Sequence, residues 1–507
     1  MRMDKFLIGI DIGTQGTKAA LYSEIGKCRA IAFEPSRLYQ PAHGIVEEDP
    51  EYQVATVCKT IQACMNKSKL DGDAVAAIGI AGQMAGVLGI DKAGRAVTPY
   101  DSWLDTRCKA YIERMQKTAG QAILTKTGCA PSFNHGPKIL WWMHERKETF
   151  KSVKSFVQPG GYAAMRLCDL KGSDAFIDTT YLHFSSFADN QKSQWDAALC
   201  EQFGMDPSLL PRIREPQEVI GEITPESAHR CGLPAGIPVV AGCGDTAASF
   251  LACGATTEGI CVDVAGTASV FAATTAQFQP DLKNATLGVG QAVSPGLWHP
   301  YAYINGGGMN LEWFRNQVMP LPSSHEPRSL SELDDSASHI QLDPSLPMFI
   351  PHLGGRVSPA WPEMRGAWAG LTWKHSYPQL YRSLLEAVAL EYCVYQEILV
   401  GIDSQFKPNE VRITGGGEKS TLWNQIKSDA LGIPVVQMQH NEGSPKGAAM
   451  VAGAGVGLFK DVRQVSETWC TCGARYEPNH VANRFYHERL QDYKALLDCM
   501  NQWRRRA

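Results

Sequence analysis

Residues 6–10 form an apolar, β-branched run that predicts a buried strand, and Asp11 breaks it. Gly13, Thr14, Gln15, Gly16 and Thr17 read as a tight polar turn, and residues 19–22 resume as a second strand. Residues 28–33 predict a third. Asp49 can cap a helix and Pro50 can open it, and Val54, Val57, Cys58, Ile61 and Met65 then recur on one helical face. Residues 74–80 read as the next strand. Three strands, a helix and a strand exclude a simple dinucleotide-binding start, which needs a helix directly after its first strand.

Further along, residues 237–241 predict a strand, Gly242 and Gly244 free the backbone, and Asp245 opens a helix. Residues 260–273 read strand, Gly266-Thr267 turn, strand, which echoes the start of the chain and suggests a second, similar half. Residues 384–400 predict a long core helix. Residues 411–424 predict a strand, a turn at Gly415, Gly416 and Gly417, and a helix, and a small-residue helix starts near Gly443. Trp141, Trp142 and Met143 read as helix core, and Pro159 and Gly160 as a turn.

A chain of 507 residues fits two large domains. Its 44% hydrophobic and 20% charged residues are those of a soluble globular protein. A net charge of -4 gives no reason to expect nucleic acid as a partner, and the basic run 503–506 reads as a solvated helix end. No run has the length of a membrane helix or a signal-peptide core, so no membrane contact and a cytoplasmic protein are expected. The 15 cysteines are scattered. Cys470 and Cys472 have no nearby histidine pair, which favours free thiols over a zinc site.

Gly13 and Gly16 let backbone amides approach a phosphate, Thr14 and Thr17 add hydroxyls, and Lys18 adds a positive charge. A carboxylate at the strand end, Asp11, suits Mg²⁺. The same residues also fit an ordinary hairpin, and the spacing is not that of a Walker A loop. Trp103 offers an aromatic face, Asp105 acceptors and Arg107 a fork of donors, a mixture that suits a small polyhydroxylated ligand. It equally fits a capped turn held by an Asp–Arg pair. Asp245 is placed either as a helix N-cap or as a general base for an attacking hydroxyl.

The hairpin from Asp11 to Lys18 resembles the first phosphate-binding hairpin of the FGGY carbohydrate kinases, relatives of actin, hexokinase and Hsp70. The residues that follow it resemble that family in family order: Gln83 and Met84, Trp103 to Arg107, Asp245, Gly266-Thr267 and Gly415 to Ser420. The resemblance implies an α/β fold of two ribonuclease-H-like domains, 1–244 and 245–507, with a cleft between them. It implies ATP-dependent phosphorylation of a sugar hydroxyl, foremost a ketopentose such as xylulose. Asp11 would then bind Mg²⁺, and Gly13, Thr14, Gln15, Gly16, Thr17, Lys18, Gly266 and Thr267 would hold phosphates. Asn310, Gly415, Gly416, Gly417, Lys419 and Ser420 would hold the nucleoside. Gln83, Met84, Trp103, Asp105, Arg107, Asp245 and Thr246 would bind sugar, with Asp245 as catalytic base.

Two residues depart from the family pattern. Ala85 replaces the histidine of xylulokinase-like members, and Thr246 replaces an amide residue. A kinase of glycerol- or erythritol-like polyols is therefore an alternative. A different class is an actin- or Hsp70-like ATP-driven binding protein, which would need a substrate-binding or polymerising module. Family habit implies a homodimer.

Overall fold

The computed structural model describes residues 4–319, 327–439 and 442–504. Arg505 and Arg506 of the basic tail lie outside them.

The first lobe opens with β1 (Phe6–Gly13), β2 (Gly16–Ser23) and β3 (Cys28–Pro35), an antiparallel meander. Helix α1 (Pro50–Ser68) is capped by the Asp49 side chain, with Pro50 in its first turn, and leads to β4 (Val75–Gly82). After α2 (His135–Glu145) and α3 (Pro159–Leu167) come β5 (Val219–Glu222), α4 (Pro225–Cys231), β6 (Pro238–Val240) and β7 (Cys243–Gly244). The sheet order is β5-β6-β4-β1-β2-β3, with β7 also on β4. Pro159 and Gly160, read as a turn, instead begin α3, because a proline costs nothing at a first helical position whose N–H is unpaired anyway. The strand expected over 237–241 is β6, and past Gly242, whose φ is 78°, the chain adds the short β7.

After α5 (Asp245–Ala252), the second lobe begins with β8 (Ile260–Ala265), β9 (Ser269–Ala273), β10 (Gly288–Gln291) and β11 (Trp298–Ile304). Then come α6 (Gly307–Trp313), α7 (Leu330–Ser338), α8 (Tyr377–Ile402), β12 (Glu410–Thr414), α9 (Thr421–Leu431), β13 (Val435–Gln439), α10 (Ser444–Gly455), β14 (Thr471–Tyr476) and α11 (His480–Arg504). This sheet runs β10-β11-β9-β8-β12-β13-β14. Its last six strands repeat the first sheet: an antiparallel meander, then two successive strands parallel to the meander's first strand, then an antiparallel edge. The echo between the two Gly-Thr turns is therefore an echo of whole topologies.

Helices α1, α3 and α4 cover one face of the first sheet through Val54, Ile61, Tyr162 and Ala228. The other face is covered by α5 and by α10, a helix from late in the chain, through Ala247, Leu251 and residues 448–452. Phe250 of α5 faces the second sheet at Val262 and Ala272, so α5 is packed between the two lobes. The seat of α10 depends on glycine. A Cβ at Gly9 would collide with the Pro445 carbonyl, and one at Gly79 with the Ala448 carbonyl. Backbone cannot yield as a flexible side chain does. Gly79→Ala is thus expected to cost about 1–3 kcal/mol as overpacking, read as a lower Tm. An unchanged Tm would contradict this close seat of α10. Among the described residues no helix is long and apolar enough to cross a membrane.

Candidate active site

Asp11 pairs in register with Ala81 of β4, and Cys243 of β7 pairs with the same residue. Asp11 and Asp245 therefore emerge near the same end of β4, where the chain runs on into Gln83 and Met84. Both residues are half-buried. Burial pushes the Asp11 carboxyl up first, and the negative charge of Asp245 second; Lys18 and a hydrogen bond from Ser444 oppose this. Burial also raises Asp245, against the pull of Thr246.

Asp245 is not an N-cap. Gly244 holds that position and Asp245 is the first residue of α5. Its Oδ1 accepts from the Thr246 amide at 2.6 Å and the Thr246 hydroxyl at 3.1 Å. Among the described residues none donates to Oδ2.

Gly13 and Gly16 pair to close the first hairpin around Thr14 and Gln15. Thr14 Oγ1 lies 2.8 Å from Trp103 Nε1. Lys18 stands opposite Asp11 in the β1–β2 register, and its Nζ donates to the Glu442 carbonyl at 3.2 Å. Thr17 departs from expectation. It is buried, and its hydroxyl meets Thr56 Oγ1 on α1 at 2.6 Å, so it is not presented to a phosphate. The strand's period of two turns it toward the face covered by α1.

The second hairpin turn is clamped by the start of α6: the Gly308 amide donates to the Gly266 carbonyl and the Met309 amide to the Thr267 carbonyl. A cavity of about 750 Å³ opens beside it. Gly266, Thr267, Gly416, Gly417, Lys419 and Ser420 line it, together with Asp334 of α7 and Tyr381 of α8, which sequence reasoning missed. Gly415 has a φ of 94°, and a Cβ there would come within 2.7 Å of the Ala265 carbonyl, so this turn folds against β8. Asn310 is a correction. It is buried, donates to the Pro351 carbonyl at 2.8 Å and is not part of the cavity wall.

Among the residues expected to bind sugar, Gln83 donates to Glu48 Oε1 at 2.8 Å while its own Oε1 has no partner. Met84 packs against Gly244, in a cluster with Ile177, Tyr181 and Leu182. Trp103 is half-buried. Asp105 and Arg107 differ from the expectation that they contact a ligand. Asp105 Oδ2 accepts from the Val46 amide at 2.7 Å and from Arg107 Nε and Nη2 at 2.8 and 2.6 Å. Arg107 also pairs with Glu47 at 2.7 Å and lies over the Trp141 ring. Both Asp105 oxygens and the Arg107 Nε and Nη2 atoms hold the loop, as in the capped-turn alternative, while Arg107 Nη1 takes no part in these bonds.

Sequence reasoning also missed the residues behind this wall. Lys138, fully buried on α2, donates to the Ser102 and Asp105 carbonyls at 2.9 and 3.0 Å. His135 Nε2 meets the Met84 carbonyl at 2.5 Å, so an imidazole does approach the segment carrying Ala85, though from α2. Beside it, both amide atoms of Asn134 are buried without a partner. The only sequence signal was a histidine and a lysine in the first turn of a helix whose middle is apolar.

A metal fits at Asp11. Its Oδ1 is buried with no hydrogen-bond partner. The described residues contain no group of three or more His, Cys, Asp or Glu able to hold an ion. A cation there would draw its remaining ligands from phosphate and water, as Mg²⁺ does.

Residues 6–252 match the N-terminal domain of the FGGY family of carbohydrate kinases, and residues 261–456 match its C-terminal domain. The xylulose kinase of Bacillus subtilis (strain 168) is 25% identical over 97% of this chain and 95% of its own length. That of Escherichia coli (strain K12) is 28% identical over 88% of each. Among solved structures, the xylulose kinase of Rhodospirillum rubrum superposes with a TM-score of 0.89 at 24% identity, covering 99% of this chain and 100% of that one.

Proposed function

Since the chain belongs to the FGGY family of carbohydrate kinases and is an ATP-dependent sugar kinase, we propose that its acceptor is a ketopentose of the xylulose kind. The observation that carries the mechanism is the open Oδ2 of Asp245, with Oδ1 held by Thr246 and Asp11 beside it. A hydroxyl attacking phosphorus must give up its proton, and Oδ2 takes it. The sugar lies against Gln83, Met84 and the Trp103 face. Phosphates lie on the amides of the Gly13–Gly16 turn and the Gly266-Thr267 turn, with Lys18 adding charge. The nucleoside occupies the cavity at Gly416, Gly417 and Ser420. Asp11 would hold Mg²⁺, which when bound neutralises phosphate charge. Most of the rate comes from positioning the two substrates, because phosphoryl transfer asks little covalent chemistry of the protein.

We read residues 1–244 and 245–507 as the two units that close on the substrates and exclude water, in the cytoplasm. The relatives named above favour the ketopentose over the polyol and over an ATP-driven binding protein. The test is a coupled ADP-release screen with Mg-ATP against ketoses, aldoses, sugar acids, glycerol and other polyols. A ketopentose raising ADP release far above every other compound is the expected result. Strongest stimulation by a polyol or sugar acid would overturn the acceptor assignment. No stimulation by any compound would overturn the reading of the cleft.

A further inference from the structure

We propose that Thr14 and Trp103 form a positioning pair through which sugar binding sets up the phosphate hairpin. The inference rests on Trp103 being a wall of the sugar pocket and names the link from that wall to the nucleotide. An indole N–H can only donate, so Thr14 Oγ1 is the acceptor in their 2.8 Å hydrogen bond. A hydroxyl carries one hydrogen. With an oxygen lone pair committed to Trp103, that hydrogen is directed away from the indole and is available to a phosphate oxygen at the turn.

The rest of the geometry leaves this rotor as the adjustable part. Ser36, just past the end of β3, fixes the turn backbone: its hydroxyl donates to the Thr14 carbonyl at 2.6 Å and its amide to the Gln15 carbonyl at 3.0 Å. The Trp103 loop is fixed on its far side by Lys138 and by Asp105 with Arg107. Between two anchored backbones only the half-buried indole and the hydroxyl can turn. A sugar stacked on the ring face restricts the indole and keeps its N–H on Thr14. The coupling is reciprocal, so bound nucleotide tightens sugar by the same factor.

The measurement is the affinity of the intact protein for AMP-PNP with Mg²⁺, in the absence and presence of D-xylulose, or of whichever acceptor the screen identifies. The ratio of the two affinities is the synergy. Trp103→Phe keeps an aromatic face but loses the donor. It is expected to lower the synergy about three- to tenfold, the size of one hydrogen bond, with sugar affinity alone changed about twofold or less. Thr14→Val is expected to lower it comparably, Thr14→Ser to retain it, and the double variant to lose no more than the larger single loss.

The proposal is overturned if the wild type shows no synergy, if Trp103→Phe leaves it intact, or if the two losses simply multiply. Failure of the sugar-pocket reading looks different: Trp103→Ala would then leave sugar affinity unchanged. Melting curves on each variant separate loss of coupling from loss of fold, and Thr14→Ser keeps the test alive if Thr14→Val misfolds.

Discussion

Replacing Asp245 with asparagine is expected to lower kcat about 10²- to 10⁴-fold while the sugar KM changes no more than a few fold. The amide matches the carboxylate in shape, and its oxygen can still accept from the Thr246 amide, which lies 2.6 Å from Oδ1 in the native protein. What is lost is the ability to take a proton at Oδ2. The pH profile is the companion measurement. Burial pushes the Asp245 carboxyl up to about 6. The base works only when deprotonated, so activity rises with pH through that region and falls about tenfold per unit below it. An asparagine variant keeping a tenth or more of wild-type kcat would rule out Asp245 as the base.

The largest expected effect on stability lies behind the cavity beside the second hairpin turn. Lys427 of α9 and Asp263 of β8 are both fully buried, and their charged atoms are 2.5 Å apart. The Tyr392 hydroxyl of α8 donates to the other Asp263 oxygen at 2.7 Å, and the ammonium lies 3.8 Å from the centre of the Trp423 ring. Strand and helices are thus tied at one point. Burial pushes the Lys427 amine down, and the neighbouring Asp263 carboxylate opposes that shift. Lys427→Met would leave Asp263 as an uncompensated buried charge, at a cost of about 3–5 kcal/mol, or a fall in Tm of roughly 10 °C. Adding Asp263→Asn removes the orphaned charge and should restore much of the loss. A single variant that melts with the wild type would show that the pair contributes little.

The amino-acid sequence by itself determined the local elements and the order of the chemistry. The β1–β2 hairpin, the α1 face and the two Gly-Thr turns follow from periods of two and 3.6 and from glycine at tight turns, which are properties of neighbouring residues. Asp11 could be singled out because it interrupts an apolar run just before a glycine turn, and Asp245 because it follows Gly242 and Gly244 where a strand gives way to a helix. What periodicity reports is which face is buried. It does not report which polar partner a side chain will find.

That choice was made only in three dimensions. Thr17 faces Thr56 and Asn310 faces the Pro351 carbonyl, partners far from them in the chain. Asp105 meets Val46 as well as its neighbour Arg107, and Arg107 reaches Glu47. The approach of α10 to the first sheet, its Ser444 against Asp11, depends on backbone surfaces brought together from opposite ends of the chain. Local spacing carries no record of such contacts, because their energy arises only when the second lobe's helix is already in place. The tertiary structure therefore decided which of the expected site residues open onto the cleft and which hold it together.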